Sequence, residues 1–321
     1  MILAYQRTMK RPVFSFFLLT LGISWLGWIP YGASQAGLVP WNIPAEVPMF
    51  SQYGPFVAAL IMTARQEGWR GVRSFLGRFG RWRVGVQWYL FVLLIVPGIM
   101  MATVGLHAML GGSHPNWSNL NQWWVKLADQ MRYGGWNVVE KKPIFSSGLL
   151  AWLADVTASG PVGAMIVWFA MAIGNGGVSE EPGWRGYVLP RLQARMSALR
   201  AGMGTGLIMG LWHWGPESWK LVFTGHPLLA VALVVGTIFG TVPLGVLMAC
   251  VYNNSRGSLL LPVLFHAAIN SSFSVMGLVW PQVPFQVRYG EVAVGYIVVA
   301  AILVWIFGAQ RLSGLAEIPT S

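Results

Sequence analysis

Two adjacent glutamates, Glu180 and Glu181, close an apolar run in the stretch NGGVSEEPGWRG, although the chain of 321 residues holds only 10 Asp and Glu. Two histidines lie in other apolar runs, His213 in MGLWHWGP and His266 in LPVLFHAAINSS, and Asn270 follows His266 by four. An ionisable side chain at the centre of a membrane helix costs roughly 3 kcal/mol on insertion scales. Such groups therefore face one another rather than lipid, and they mark functional sites.

Spacing divides these residues into roles. His266 and Asn270 stand at i and i+4, so both project from one helix face. Glu181 and Arg185 share that spacing, and Glu180 points about 100° away from Glu181. One glutamate can pair with Arg185 while the other stays free. Crowding two carboxylates where water is partly excluded raises the proton affinity of one, which suits a general base near neutral pH. A Glu with a His can polarise a water for attack on a carbonyl. A His with an Asn can donate hydrogen bonds to the oxyanion that forms, a positioned donor being worth ~3 kcal/mol. Alternatively, Glu180, His213 and His266 bind one zinc ion and leave a position open for water. Both schemes hydrolyse an amide. HExxH, Gly-x-Ser-x-Gly and an intramembrane Asp pair are absent from the sequence, so those protease chemistries lack their residues.

Each residue also has a structural reading. A transmembrane Asn commonly makes an interhelical hydrogen bond worth ~0.6 kcal/mol, and Glu181 with Arg185 could be a helix-end pair of ~0.5 kcal/mol or less. Trp184, Trp212 and Trp214 read as interface anchors or packing residues. His107, His114 and His226 are left to structure, Glu217 reads as a solvated loop residue, and Asp155 lies near the outer start of a span. The combination is what stands out: a glutamate pair and two histidines, on three separate spans, are nearly the only ionisable groups at depth.

The elements that must position them are membrane helices. The chain is 55% hydrophobic and 10% charged, with a mean hydropathy of +0.57, whereas a soluble domain carries about 25% charged residues. Runs of ~20 apolar residues predict an all-α, polytopic transmembrane helical bundle of about eight spans, roughly at 13–32, 48–64, 87–109, 155–178, 198–214, 229–251, 258–279 and 291–308. The basic N-terminal stretch reads as a retained first helix rather than a cleaved signal peptide. With that end in the cytosol, Arg7, Lys10, Arg11, the arginines from Arg65 to Arg83, and Arg185, Arg191, Arg195, Arg200, Arg256 and Arg311 all fall inside. Lys126, Arg132, Lys141, Lys142, Lys220 and Arg288 remain outside, a bias that places both termini in the cytosol. The net charge of +11 therefore reads as orientation signal and not as a nucleic-acid surface. Cys250 is the single cysteine, which excludes a disulfide framework or a multi-cysteine metal site. The long loop at roughly 110–147 carries tryptophans suited to the membrane interface. With no repeat and no linker, residues 1–321 read as one integral membrane domain.

The motifs resemble the CAAX prenyl protease and bacteriocin-processing (CPBP, or Abi) intramembrane endopeptidases. The family pattern Glu-Glu-x-x-x-Arg is present as Glu180-Glu181-Pro-Gly-Trp-Arg185 and continues as Gly-Tyr; Phe-x-x-x-His is present as MGLWH, with Met209 in the phenylalanine position and His213 retained; His-x-x-x-Asn is present as His266-Ala-Ala-Ile-Asn270. The segment RFGRWRVGVQWYL is similar to the loop such proteins carry before a helix. The match is specific over roughly 170–275, which it marks as the catalytic core. The resemblance implies that Glu180 is the general base, that His213 assists it, that His266 and Asn270 stabilise the oxyanion, and that Glu181 and Arg185 support the site. It admits either a glutamate-dependent reaction or one zinc ion held by Glu180, His213 and His266. It further implies a multi-pass protein of a bacterial plasma membrane that cleaves membrane-associated proteins or peptides. A transporter or a bacteriocin-immunity factor using the same polar cluster for binding is the competing expectation.

Overall fold

A computed structural model describes residues 12–44, 46–121, 123–133 and 149–320. Arg7, Lys10, Arg11, Lys141, Lys142 and the GGWNVVEKKP tract lie outside the described residues, as does the side chain of Arg132. The described residues form helices α1 (Pro12–Gln35), α2 (Glu46–Ser51), α3 (Gly54–Gly77), α4 (Val86–Met109), α5 (Trp123–Tyr133), α6 (Leu149–Ala158), α7 (Pro161–Ala172), α8 (Ser179–Glu181), α9 (Leu189–Gln193), α10 (Ala198–Trp212), α11 (Pro216–Phe223), α12 (Pro227–Asn254), α13 (Leu260–Val279) and α14 (Phe285–Phe307), with no strand among them. Closed intrasegment hydrogen bonding is what a hydrocarbon solvent demands of the backbone.

Among the described residues seven helical stretches are long and apolar enough to cross a membrane, and they make this an integral membrane bundle. The expected span at 198–214 is the exception, since α10 has 15 residues. At 1.5 Å per residue it covers about 22 Å, short of the ~30 Å hydrocarbon core. A stripe of small residues holds α10 close along α12. A Cβ on Gly202 would stand 3.0 Å from the Gly245 carbonyl oxygen, and one on Gly206 would collide with that of Thr241. Glycines at this four-residue spacing let two backbones approach where lipid offers no hydrophobic drive for helix association.

Two further departures concern charge. The stretch from Arg65 to Arg83 is not a simple loop: α3 continues to Gly77 after a break at Gly68 (φ 66°). Beyond the break, Val72 and Phe75 are buried while Arg70 and Arg73 are exposed, the pattern of a helix lying along an interface. Arg185, expected among the cytosolic charges, is instead fully buried.

The chain's two ends of the bundle differ. At one end Gln193 bonds Asn253 and the Pro319 carbonyl, Arg81 bonds the Arg256 carbonyl, and Asn253 donates to the Arg311 carbonyl. That end gathers Arg81, Arg256 and Arg311. At the opposite end Trp280 donates to Ser113, and His107 pairs with Glu291 at 2.7 Å.

Candidate active site

The site begins with an interruption. The element from Pro161 to Gln193 is continuous, but the chain opens into wide π turns at Ile173–Val178 and Pro182–Val188 on either side of α8. Asn175 (φ −96°, ψ 102°) and Gly176 (φ 102°, ψ −63°) leave helical geometry altogether. Three side chains satisfy the opened backbone, as they must at membrane depth. Tyr53 Oη donates to the Gly174 carbonyl at 3.0 Å, Asn270 Nδ2 donates to the Asn175 carbonyl at 3.3 Å, and the Gly176 N–H donates to Ser179 Oγ at 2.8 Å. Gly176 is required twice over. Its positive φ disfavours any side chain, and a Cβ there would stand 2.5 Å from Asn270 Nδ2 and 2.8 Å from His266 Nε2.

The interruption brings α8 against α13, and an ionic cluster forms there. Arg185 Nη1 lies 3.0 Å from the Glu181 carboxylate, the pair the spacing predicts, and both side chains are fully buried. His266 Nδ1 lies 2.7 Å from Glu181 Oε1 on the other side. The carboxylate accepts from Nδ1–H, which fixes the ring orientation. His266 Nε2 then lies 4.0 Å from Glu180 Oε1. Glu181 is thus enclosed between Arg185 and His266, while Glu180 makes one hydrogen bond, from Trp184 Nε1 at 3.2 Å.

Glu180 has a second neighbour, and it is open space. A cavity of about 970 Å³ is lined by Glu180 and His213 together, with Trp28, Gln52 and Trp212 beside them. Hydropathy put His213 near the far end of a full span. Because α10 is short and ends at Trp212, His213 instead caps it beside the broken element. The His213 Nδ1–H donates to the Met209 carbonyl at 2.8 Å. A carbonyl can only accept, so Nε2 of the neutral ring is left free to accept a proton. Met209 serves a second contact, since its Sδ accepts from Arg185 Nη1 at 3.4 Å. The cavity runs towards the end opposite the arginines, past Leu229 at the start of α12 and Phe285 at the start of α14.

Trp184 and Trp212 are buried packing residues rather than interface anchors, at 0% and 2% exposure, with ring centroids 5.7 Å apart. Trp212 Nε1 donates to Ser24 Oγ of α1 at 2.9 Å. Glu217 is no loop residue: it occupies the first turn of α11 and lines the cavity. His114 and His226 are exposed and remote, and Asp155 lies on α6. Sequence reasoning did not single out Asn175, Gly176, Ser179 or Tyr53. The Gly-Gly pair in an apolar run was the available signal for the break, while the Tyr53 contact had none.

Zinc needs a gathered donor set. Among the described residues no group of three or more His, Cys, Asp and Glu side chains is arranged to hold a metal ion, and Glu180, His213 and His266 do not form such a group.

Residues 161–272 match the family model described as Type II CAAX prenyl endopeptidase Rce1-like. The matched stretch contains the broken element, α10 and His266 with Asn270, and so every residue of the ionic cluster together with His213. The chain is also 21% identical over 313 residues to CAAX prenyl protease 2 of Methanococcus maripaludis, an alignment covering 95% of this chain and 96% of that protein. The resemblance to CAAX-type membrane endopeptidases thus extends beyond the motifs, and it supports a membrane protease.

Proposed function

We propose that the chain is an intramembrane endopeptidase in which Glu180, assisted by His213, activates a water molecule against a peptide carbonyl held in the cavity. The observation that carries this reading is that Glu180 and His213 line one cavity while Glu181 is enclosed behind them by Arg185 and His266. Glu180 takes a proton from the water as its oxygen bonds to the carbonyl carbon. The resulting oxyanion accepts hydrogen bonds, for which the Asn270 amide and the Nε2–H of His266 in its doubly protonated, imidazolium form, both beside Gly176, are the candidate donors. Glu180 then returns the proton to the leaving nitrogen as the C–N bond breaks, giving a carboxylate-bearing fragment and an amine. His213 Nε2 accepts a hydrogen bond from the water and orients it. Glu181 holds His266, and Arg185 holds Glu181.

The cavity's far wall, with Leu229, Leu233, Val235, Phe239 and Phe285, suits an apolar segment of a membrane-associated protein or peptide. We read the arginine-bearing end, with both termini, as facing the cytosol of a bacterial cell, an orientation that the charge bias supports.

The test is cleavage of a panel of membrane-associated peptides by the purified protein in liposomes, read by mass spectrometry of the fragments. Wild type should cleave at least one, Glu180→Gln none, and His213→Ala should retain KM while losing about 10²-fold or more in kcat. Unchanged turnover in Glu180→Gln would remove that residue from the mechanism. Peptide binding without cleavage by wild type would favour the immunity-factor or transporter reading.

A further inference from the structure

Four membrane spans end around one small basic cavity that shares no lining residue with the catalytic cavity. The element Glu46–Gly80 ends there, Val86–Met109 begins there, and the turn between Pro227–Asn254 and Leu260–Val279 closes it. The cavity measures about 470 Å³ and is lined by Gly80, Arg81, Trp82, Arg83, Val84, Ser255 and Arg256. Three of these residues are arginines, none is acidic, and none of the three arginines forms an ion pair among the described residues. In most proteins so much like charge is offset by carboxylates or spread apart. Here the loops are instead tied together in this state: Arg81 Nη1 donates to the Arg256 carbonyl at 2.8 Å. Arg256 itself holds a positive φ of 54°, a conformation uncommon for a residue other than Gly, Asn or Asp.

The surroundings point to a lipid. Because four spans terminate at the cavity, it lies at headgroup depth. The Arg83 guanidinium lies 5.1 Å from the Trp82 ring centre, and Trp82, 58% exposed, has the position of an interfacial aromatic residue. Tyr89 Oη donates to the Trp82 carbonyl at 2.6 Å. Directly along α4 from this point, Val86, Leu90 and Leu94 are exposed at four-residue spacing, which forms one apolar stripe. A soluble phosphate would have no use for that stripe, whereas acyl chains would.

We propose that Arg81, Arg83 and Arg256 form a headgroup site for an anionic glycerophospholipid, with its phosphate in the basic cavity and its acyl chains along Val86, Leu90 and Leu94. The site is independent of the proteolytic reading. It has a structural link to the catalytic element, because Arg78 in the same turn donates to the Gly186 carbonyl at 3.1 Å and to Tyr252 Oη at 3.2 Å.

The experiment is a lipid titration of the full chain in neutral detergent, read by native mass spectrometry, with phosphatidylglycerol, phosphatidylcholine and glycerol 3-phosphate as the three probes. The test variant is Arg83→Gln with Arg256→Asn. Asn tolerates the positive φ, and the bond from Arg81 goes to a main-chain carbonyl that the substitution keeps, so the turn should stay folded; a melting curve checks this. Wild type should prefer phosphatidylglycerol, and the variant should lose roughly fivefold in affinity per arginine removed. The control, Arg73→Gln with Arg195→Gln, removes two exposed arginines elsewhere and should bind as wild type does. Equal loss in the control would overturn the proposal in favour of diffuse charge attraction. Equal binding of phosphatidylcholine would overturn the anionic preference, and glycerol 3-phosphate binding as tightly as the lipid would overturn the lipid as ligand.

Discussion

Glu180 and Glu181 are neighbours in sequence, and their replacement by glutamine should separate stability from chemistry. Glu181 faces Arg185 at 3.0 Å and His266 at 2.7 Å, and neither it nor Arg185 is exposed to solvent. Glu181→Gln keeps the shape but leaves the Arg185 guanidinium as a buried cation without its counter-charge. Breaking a buried pair in this way costs ~3–5 kcal/mol. Glu180 has one hydrogen bond, from Trp184 Nε1, and otherwise faces the cavity. A glutamine oxygen still accepts from that N–H, so Glu180→Gln should cost about 1 kcal/mol or less. At roughly 2–4 °C per kcal/mol, Glu181→Gln should melt roughly 6–20 °C below wild type and Glu180→Gln within a few degrees of it. Thermal unfolding in one detergent, followed by intrinsic tryptophan fluorescence, measures both, and the peptide-cleavage assay completes the comparison. Glu180→Gln should be folded and inactive, while Glu181→Gln should be destabilised with activity lost in proportion to the displaced His266. Equal melting temperatures for the two variants would refute the reasoning, because the enclosed and the cavity-facing glutamate would then be energetically the same.

Other consequences follow from the same geometry. Gly176→Ala should cost ~1–2 kcal/mol for a side chain at positive φ and ~1–3 kcal/mol for crowding His266 and Asn270; a variant melting with wild type and cleaving at its rate would contradict the close approach. Gly206→Val should force α10 away from α12, lowering both the melting temperature and kcat because His213 is carried on the end of α10; a loss of stability with kcat unchanged would detach His213 from the reaction. Peptidase activity should survive exhaustive chelation, since no gathered donor set exists among the described residues. Finding one zinc per chain by elemental analysis, with activity lost on chelation and restored by zinc, would refute that expectation.

What could be read from the sequence is what short-range physics governs. Apolar runs of sufficient length become helices because hydrocarbon satisfies no backbone hydrogen bond, and seven of the expected spans are present as such. The i, i+4 spacing placed Arg185 on Glu181, and it placed His266 and Asn270 on one face of α13, where both approach Gly176. The cost of ionisable groups in lipid is enough to single out Glu180, Glu181, His213 and His266 from the sequence.

Hydropathy, in contrast, reports depth only along a straight helix. It put Glu180 at the end of a span and His213 near the opposite membrane face. The glutamate in fact sits within a longer, broken element, and the histidine ends a short helix. Arg185 reads as a loop cation until its carboxylate partner is found buried with it. Trp184 reads as an anchor or a packing residue until its N–H is found on Glu180. Both partners stand four residues away, but the burial of these pairs comes from distant segments: Phe16 and Trp212 pack on Trp184, and Met209 touches Arg185. The sequence alone determined that this chain is a helical membrane protein with a small set of costly polar groups, because insertion energy and helical periodicity are local properties. Which of those groups share a cavity, and which glutamate is enclosed behind the other, was decided only by tertiary packing: the glycine stripe of α10 against α12 and the break at Gly176 against α13 set distances between segments far apart in the chain.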